Sequence, residues 1–248
     1  MKWIYLSPHI DDAVYSCGGL IWEQTQAGDS VEIWTVCAGD PPPGPLSPFA
    51  QKLHHRWGTG AAAGQVRRAE DLRAGACVGA NVRQFDLPDC IYRRDPVSRE
   101  AWYASEAAIF GKVHPEDTGT KWLVHQLKVH LPSEALVVCP LTLGNHVDHQ
   151  LVRAAAEKAG CVQWYYADFP YAAREETDAE RRVPAGWRRE LFPISPAGLQ
   201  AWADGAALYA SQISTFWADE TAIFADFQAY TQQHGGIRLW GNKETRPN

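Results

Sequence analysis

The sequence predicts an α/β fold, a three-layer arrangement in which helices flank a parallel sheet, and two observations carry that expectation. Short apolar runs alternate with amphipathic stretches of helix length from the first residues to about position 167, the order that builds a parallel sheet from strand, helix, strand units. Two ionisable clusters, His9 with Asp11 and Asp12 and then His146 with Asp148 and His149, each follow one of those apolar runs. In an open α/β sheet the loops after parallel strands share one edge, and ligands bind there, so clusters far apart in sequence can meet.

The elements follow in order. Trp3 to Leu6 is the first strand; a helix runs from about Ala13 to Ala27, with Gly28 as its left-handed stop. Val31 to Ala38 is the second strand, followed by a long irregular stretch, 39–64, that carries PPPGP and HHRWGTG. Loops of that length in a compact domain are more often functional than idle. A helix over Gln65 to Val78 leads to a short strand, Arg83 to Leu87. Lys121 to Leu131 is a helix closed by Pro132, Leu136 to Cys139 a compact strand, Asp148 to Ala159 a helix ended by Gly160, and Val162 to Ala167 an aromatic strand. The charged stretch 174–189 reads as a surface excursion and RELFPI as a strand. Ser195 followed by Pro196 is an N-cap with proline in the first turn, opening a helix toward Tyr209, and a last helix spans about Glu220 to Gln233 with Gly235 as its stop. With no internal repeat and no linker, 1–248 reads as one domain with a helical C-terminal extension over about 195–248.

Composition narrows the function classes. Of 248 residues 46% are hydrophobic and 21% charged, which argues against a disordered or fibrous chain. A net charge of -6 leaves no basic excess to neutralise a phosphate backbone, so small molecules fit better than nucleic acid. Six dispersed cysteines without a CxxC pair read as buried thiols of a reducing compartment. The N-terminus lacks a signal-peptide core and no run approaches a membrane span, so the expected location is the cytoplasm, with no membrane partner and a homo-oligomer left open.

Imidazole and carboxylate are the ligands of catalytic zinc, which takes three protein ligands and keeps a fourth position for water. Two histidines and one aspartate meet that count. Adjacent aspartates in an extended turn do not both reach one cation easily, so one can ligate while the other faces the water, whose pKa the cation brings near neutrality. A further histidine can stabilise an oxyanion or protonate a leaving amine, which together is amide hydrolysis chemistry. Taken alone, Asp-Asp before a helix is an N-cap plus a first-turn carboxylate. The pairing of the two clusters is what favours function.

At these residues, PHIDDA and HVDH, the sequence resembles the LmbE-like, or PIG-L, family of zinc-dependent N-deacetylases, whose signatures are an AHPDDE-type segment after the first strand and an HPDH-type segment more than a hundred residues later. VRRAEDLRAGACVGA and LYASQI are similar to two further family segments, so the resemblance spans about residues 3 to 212 and implies the Rossmann-like sheet of that family. It implies that His9, Asp12 and His149 ligate Zn2+, that Asp11 is the general base, and that His146 stabilises the oxyanion or acts as acid with Asp148 orienting it. It also implies that Arg67, or Arg68 beside it, contacts a substrate hydroxyl or phosphate. Ile10 and Val147 stand where proline is usual, and Ala13 replaces the usual glutamate, which argues against the thiol-cofactor branch of the family. The implied activity is removal of an N-acetyl group from an N-acetylated amino sugar or glycoconjugate. Such a His2Asp set also accepts iron, cobalt or manganese.

Two rival classes remain at this stage. One is a non-catalytic, metal-dependent carbohydrate-binding or regulatory module on the same scaffold; the other is a nucleotide-binding Rossmann protein, against which the missing glycine fingerprint argues. Gly18-Gly19 reads as close packing of helix on sheet, and Trp57 or Tyr171 as an aromatic platform for a sugar.

Overall fold

The computed structural model describes residues 1–58, 60–174 and 176–242. The elements are β1 (Lys2–Ser7), α1 (Asp12–Gln26), β2 (Ser30–Thr35), α2 (Pro48–Trp57), α3 (Ala63–Cys77), β3 (Asn81–Gln84), α4 (Glu106–Ile109), α5 (Gly119–His130), β4 (Leu136–Pro140), α6 (Val147–Ala159), β5 (Val162–Tyr166), α7 (Tyr171–Arg174), α8 (Glu176–Arg182), β6 (Arg188–Phe192), α9 (Pro196–Ala207), α10 (Ala210–Phe216), α11 (Glu220–His234) and β7 (Ile237–Gly241). They form one seven-stranded sheet of order β3-β2-β1-β4-β5-β7-β6, flanked by helices, as the alternation predicts. The first five strands are parallel. Their apolar runs are buried because helices cover both faces of such a sheet.

The strand order runs outward from β1 in two directions, to β2 and β3 on one side and to β4 and β5 on the other. Right-handed crossovers therefore send α1 and α3 to one face and α5 and α6 to the other. The loops after β1 and β4 diverge at that reversal and leave a crevice between them. HIDD and GNHVD are those two loops.

Several expectations shift. The stretch 39–64 is not wholly irregular: it contains α2, capped by the Ser47 hydroxyl, which accepts from the Ala50 N-H, with Pro48 at the first helical position and Gly58 left-handed at its end. The third strand comes two residues earlier than Arg83–Leu87, and beyond Gln84 pairing continues only as single bridges, Cys37 with Asp86 and Gly39 with Pro88. At Gly39 the backbone of Asp86 passes where any Cβ would sit, so only glycine fits. The sheet is parallel only through β5. β7 and β6 pair antiparallel beyond it, and β7 is a strand that the helical pattern expected for 195–248 did not contain. The Gly18-Gly19 pair does mark close packing, but on the Trp202 ring of α9 rather than on the sheet. Within the expected surface stretch 174–189 lies α8; residue 175 falls outside the described residues, as do 243–248 of the expected extension.

The main core fills the sheet faces, and a second, smaller cluster joins α2 and the turn at Cys90–Tyr92 to α4 beside the crevice. Cys17, Cys37, Cys90, Cys139 and Cys161 are buried free thiols. No helix among the described residues is long and apolar enough to cross a membrane.

Candidate metal centre and active site

The capping explanation for the paired aspartates fails on inspection of α1. Asp11 is the N-cap residue, yet its side chain makes no cap hydrogen bond. Asp12 Oδ2 turns back instead, accepting the His9 backbone N-H at 2.7 Å. That turn places the Asp12 carboxylate between two imidazoles, 3.2 Å from His9 Nδ1 and 3.2 Å from His149 Nε2.

Each of those histidines has its other ring nitrogen on a carboxylate. His9 Nε2 lies 3.0 Å from Asp148 Oδ2, and His149 Nδ1 lies 2.6 Å from Asp168 Oδ1. Asp168 is fixed in turn by the Leu143 N-H, which donates to its Oδ2 at 2.9 Å. Asp148 accepts the Cys90 N-H at 3.0 Å and pairs with Arg93, which also meets Asp117 at 2.9 Å. A carboxylate that holds one imidazole N-H fixes the tautomer and leaves the second nitrogen free to ligate.

Asp148 departs from expectation here: its carboxylate orients His9, not His146. His146 is the N-cap of α6, and its Nδ1 accepts the Asp148 backbone N-H at 3.3 Å, while the Asp148 carboxylate, within 4.8 Å of a His146 ring nitrogen, is bonded to His9, Cys90 and Arg93. His146 still closes the group, its ring 4.7 Å from that of His9 and 5.6 Å from that of His149. His9, His146 and His149 present ring nitrogens within 4.8 Å of one another.

Arg67, not Arg68, faces the site. Arg67 is buried on α3, 4.0 Å from Asp11 and 4.0 Å from Asp89, with its guanidinium 4.6 Å over the Trp57 ring. Arg68 points outward to Asp40 and the Ala38 carbonyl. One turn on from Arg67, the Glu70 carboxylate accepts the Ser211 N-H and hydroxyl, and Asp71 accepts from Thr35, Gln84 and Tyr209. The α3 and LYASQI segments thus hold each other, which brings Gln212 into the cleft wall. Trp57 and Tyr171 also line it; His54 does not, being bonded to Tyr92 and the Gly60 carbonyl beneath. The Ala13 side chain is fully buried in the core, away from the cleft lining.

Burial and neighbours set the charges. Burial and then Asp12 raise the Asp11 carboxyl to about 6, against the pull of Arg67 and His9. Burial opposes ionisation of Asp12, but His149 and His9 overcome it and hold that carboxyl well below its usual range. Burial likewise opposes a charged His149, and Asp12 and Asp168 together raise it to about 10. Burial, then His9, pushes His146 well below the ordinary imidazole value, so it is neutral. The donor set suits a divalent cation: an ionised carboxylate between two imidazoles, each aimed by a second carboxylate, is the arrangement of metal-binding histidines.

The histidine and carboxylate centre thus sits at the switch point of a mixed α/β sheet, the edge where such sheets bind ligands. Residues 4–160 match the PIG-L family, described as GlcNAc-PI de-N-acetylase, and the chain belongs to that family. It is 27% identical to a 2'-N-acetylparomamine deacetylase of Streptomyces fradiae over 98% of this chain and 85% of that one. Among solved structures it resembles the zinc-inhibited form of teicoplanin deacetylase Orf2 at a TM-score of 0.80 and 25% identity, covering 99% of this chain and 100% of the other. It also resembles the A40926 pseudoaglycone deacetylase Dbv21 at a TM-score of 0.73 and 27% identity, covering 96% and 95%.

Sequence reasoning missed Asp168, Asp89 and Arg93. Asp168 stands two residues past β5, on the same sheet edge as the two expected clusters, and that position was its signal. Nothing in the spacing separates Arg93 from the adjacent Arg94.

Proposed function

We propose that this chain is a divalent-cation-dependent N-deacetylase, with zinc the leading cation, that removes the acetyl group from an N-acetylated amino sugar or its conjugate. The observation that carries the proposal is the Asp12 carboxylate set between His9 and His149, each aimed by its own carboxylate, with Asp11 beside them and unused as a cap. The named deacetylase relatives support the same reading.

His9, Asp12 and His149 would hold the cation. When bound, it supplies Lewis acidity that polarises an amide carbonyl and brings the pKa of water toward neutrality. Asp11, with its carboxyl at about 6, is ionised at neutral pH and takes the proton of the attacking water. The same carboxyl returns that proton to the amide nitrogen as the C-N bond breaks, so acetate and a free amine leave. His146 accepts the Asp148 N-H at Nδ1, which places its proton on Nε2; that atom lies 3.9 Å from Cys90 Sγ, and its N-H would be the neutral donor for the carbonyl oxygen as charge develops there. Arg67, over Trp57, would bind a substrate hydroxyl or phosphate, and its charge holds the Asp11 carboxyl down.

Acetate release from a panel of N-acetylated amino sugars and their conjugates, by wild type and Asp11→Asn, tests this. We expect turnover by the wild type and a loss on the order of 10²–10⁴-fold in the variant, the scale of a general base. Equal turnover by the two proteins overturns the assignment.

A further inference from the structure

Beyond its histidines and carboxylates the cleft, which opens to solvent, is walled by apolar side chains. α2 contributes Phe49 and Leu53, one turn apart; Ile91, Ile109 and Phe110 come from the turn after β3 and from the end of α4, and Phe216 from α10. Leu53, Ile91 and Ile109 belong to the second hydrophobic cluster, so this wall has its own packed backing rather than being a loose flap.

Phe110 is the most informative of them. It is 39% exposed, yet its ring sits 5.5 Å from that of His146, edge to face. Its backbone is anchored: Asn145 Nδ2 donates to the Phe110 and Gly111 carbonyls at 3.0 Å each, and Gln150 Nε2 donates to Gly111 at 2.8 Å. An exposed phenyl group whose backbone is anchored at Phe110 and Gly111 beside the reacting centre is a prepared contact surface. Polar groups reappear at the rim, where Arg56 of α2 meets Glu106 of α4 at 3.5 Å.

An acetyl group presents one methyl, and a pyranose presents hydroxyls on most of its edge. Six apolar side chains from α2, the turn after β3, α4 and α10 are more apolar wall than that one methyl meets. We propose that the substrate is a glycoside of an N-acetylated amino sugar whose aglycone is apolar, and that Phe49, Leu53, Ile91, Ile109, Phe110 and Phe216 seat that aglycone while the sugar amide meets Asp11 and His146. The assignment rests on the deacetylase reading for its amide and on the continuity of the apolar wall with the catalytic cleft for its aglycone.

The test is a matched series: methyl, butyl and hexyl β-glycosides of N-acetylglucosamine, read as kcat/KM for acetate release by the wild type and as Kd on Asp11→Asn. Burial of each methylene is worth up to about fourfold, so kcat/KM rises at least tenfold from methyl to hexyl, and Kd falls in parallel. Replacing Phe49 or Phe110 by serine lowers the hexyl-to-methyl ratio severalfold within each variant. A second arm lengthens the N-acyl group instead, on the methyl glycoside. A flat glycoside series overturns the proposal, as does an N-acyl series that rises while the glycoside series stays flat, because the wall then serves the acyl chain. Chain-length dependence in Kd without turnover by the wild type supports the apolar aglycone and removes the deacetylase reading, so the two failures are distinguishable.

Discussion

Replacing Arg93 by methionine removes the single cation that Asp148 and Asp117 share, and the structure sets the scale of the loss. The guanidinium is 7% exposed and the two carboxylates 0% and 1%. Deleting one partner of a buried ion pair costs about 3–5 kcal/mol, because the remaining charge is left buried and uncompensated. For a chain of this length that is roughly 6–20 °C in Tm, at 2–4 °C per kcal/mol. Burial favours the protonated Asp148 carboxyl, and Arg93 ahead of His9 holds it ionised well below the usual carboxylate range. A depressed carboxylate contributes stability that is fully present above the unfolded value, near pH 4, and is lost as pH falls through the folded value. In wild type this contribution is therefore complete at both pH 6 and pH 8, and Arg93→Met loses it at both. Differential scanning calorimetry at those two values reads the loss, with Arg93→Lys expected between Arg93→Met and wild type, since it keeps the charge but loses the fork that spans both carboxylates. A melting point for Arg93→Met within about 2 °C of wild type, below the 6–20 °C worked above, would refute the reasoning.

Three further outcomes follow from the same geometry. Asp168→Asn leaves His149 without its orienting carboxylate and weakens cation affinity about 10–100-fold, measured by competition against a chromophoric chelator; unchanged affinity contradicts the orienting role. The acid limb of kcat/KM falls at or below about pH 6, because Asp11 must be ionised to accept a proton and a bound cation can only lower its value; activity that rises as pH drops below 6 contradicts it. Burial raises Asp71 to about 7 despite three hydrogen bonds. The folded chain thus binds more protons than the unfolded one between about pH 4 and 7, and stability from this group falls as pH rises through that window. Asp71→Asn, whose amide can bond the reversed Tyr209 hydroxyl, flattens the urea midpoint over that window; an unchanged slope refutes the shift.

Much of this was legible in the sequence, for physical reasons that differ by element. β1, β4 and α6 declare themselves because parallel core strands are continuous apolar runs and because Gly160 takes the left-handed stop that other residues resist. The ligand candidates were legible because His-x-Asp-Asp and His-x-Asp-His each sit behind such a run. α2 was hidden under proline and glycine punctuation, although Ser47-Pro48 carries the same cap signal as Ser195-Pro196, which was legible. β7 was hidden because a five-residue stretch, IRLWG, interrupted by Arg238 after a helix stop does not declare a strand or where in a sheet it inserts. The partner of the Asp148 carboxylate was not legible at all. It depends on His9, Cys90 and Arg93 meeting that carboxylate from far along the chain, contacts made only in three dimensions.

The central claim is that one divalent cation, held by His9, Asp12 and His149, is needed for amide hydrolysis in which Asp11 acts on the water. Metal analysis of purified wild type, Asp11→Asn and His149→Gln, with acetate release followed before chelation, after it and after metal is restored, tests it most directly. The account predicts one cation per chain in wild type and in Asp11→Asn, loss of the cation in His149→Gln, and wild-type turnover abolished by chelator and recovered with metal. Undiminished turnover in fully chelated wild type, or a full complement of cation in His149→Gln, would contradict it.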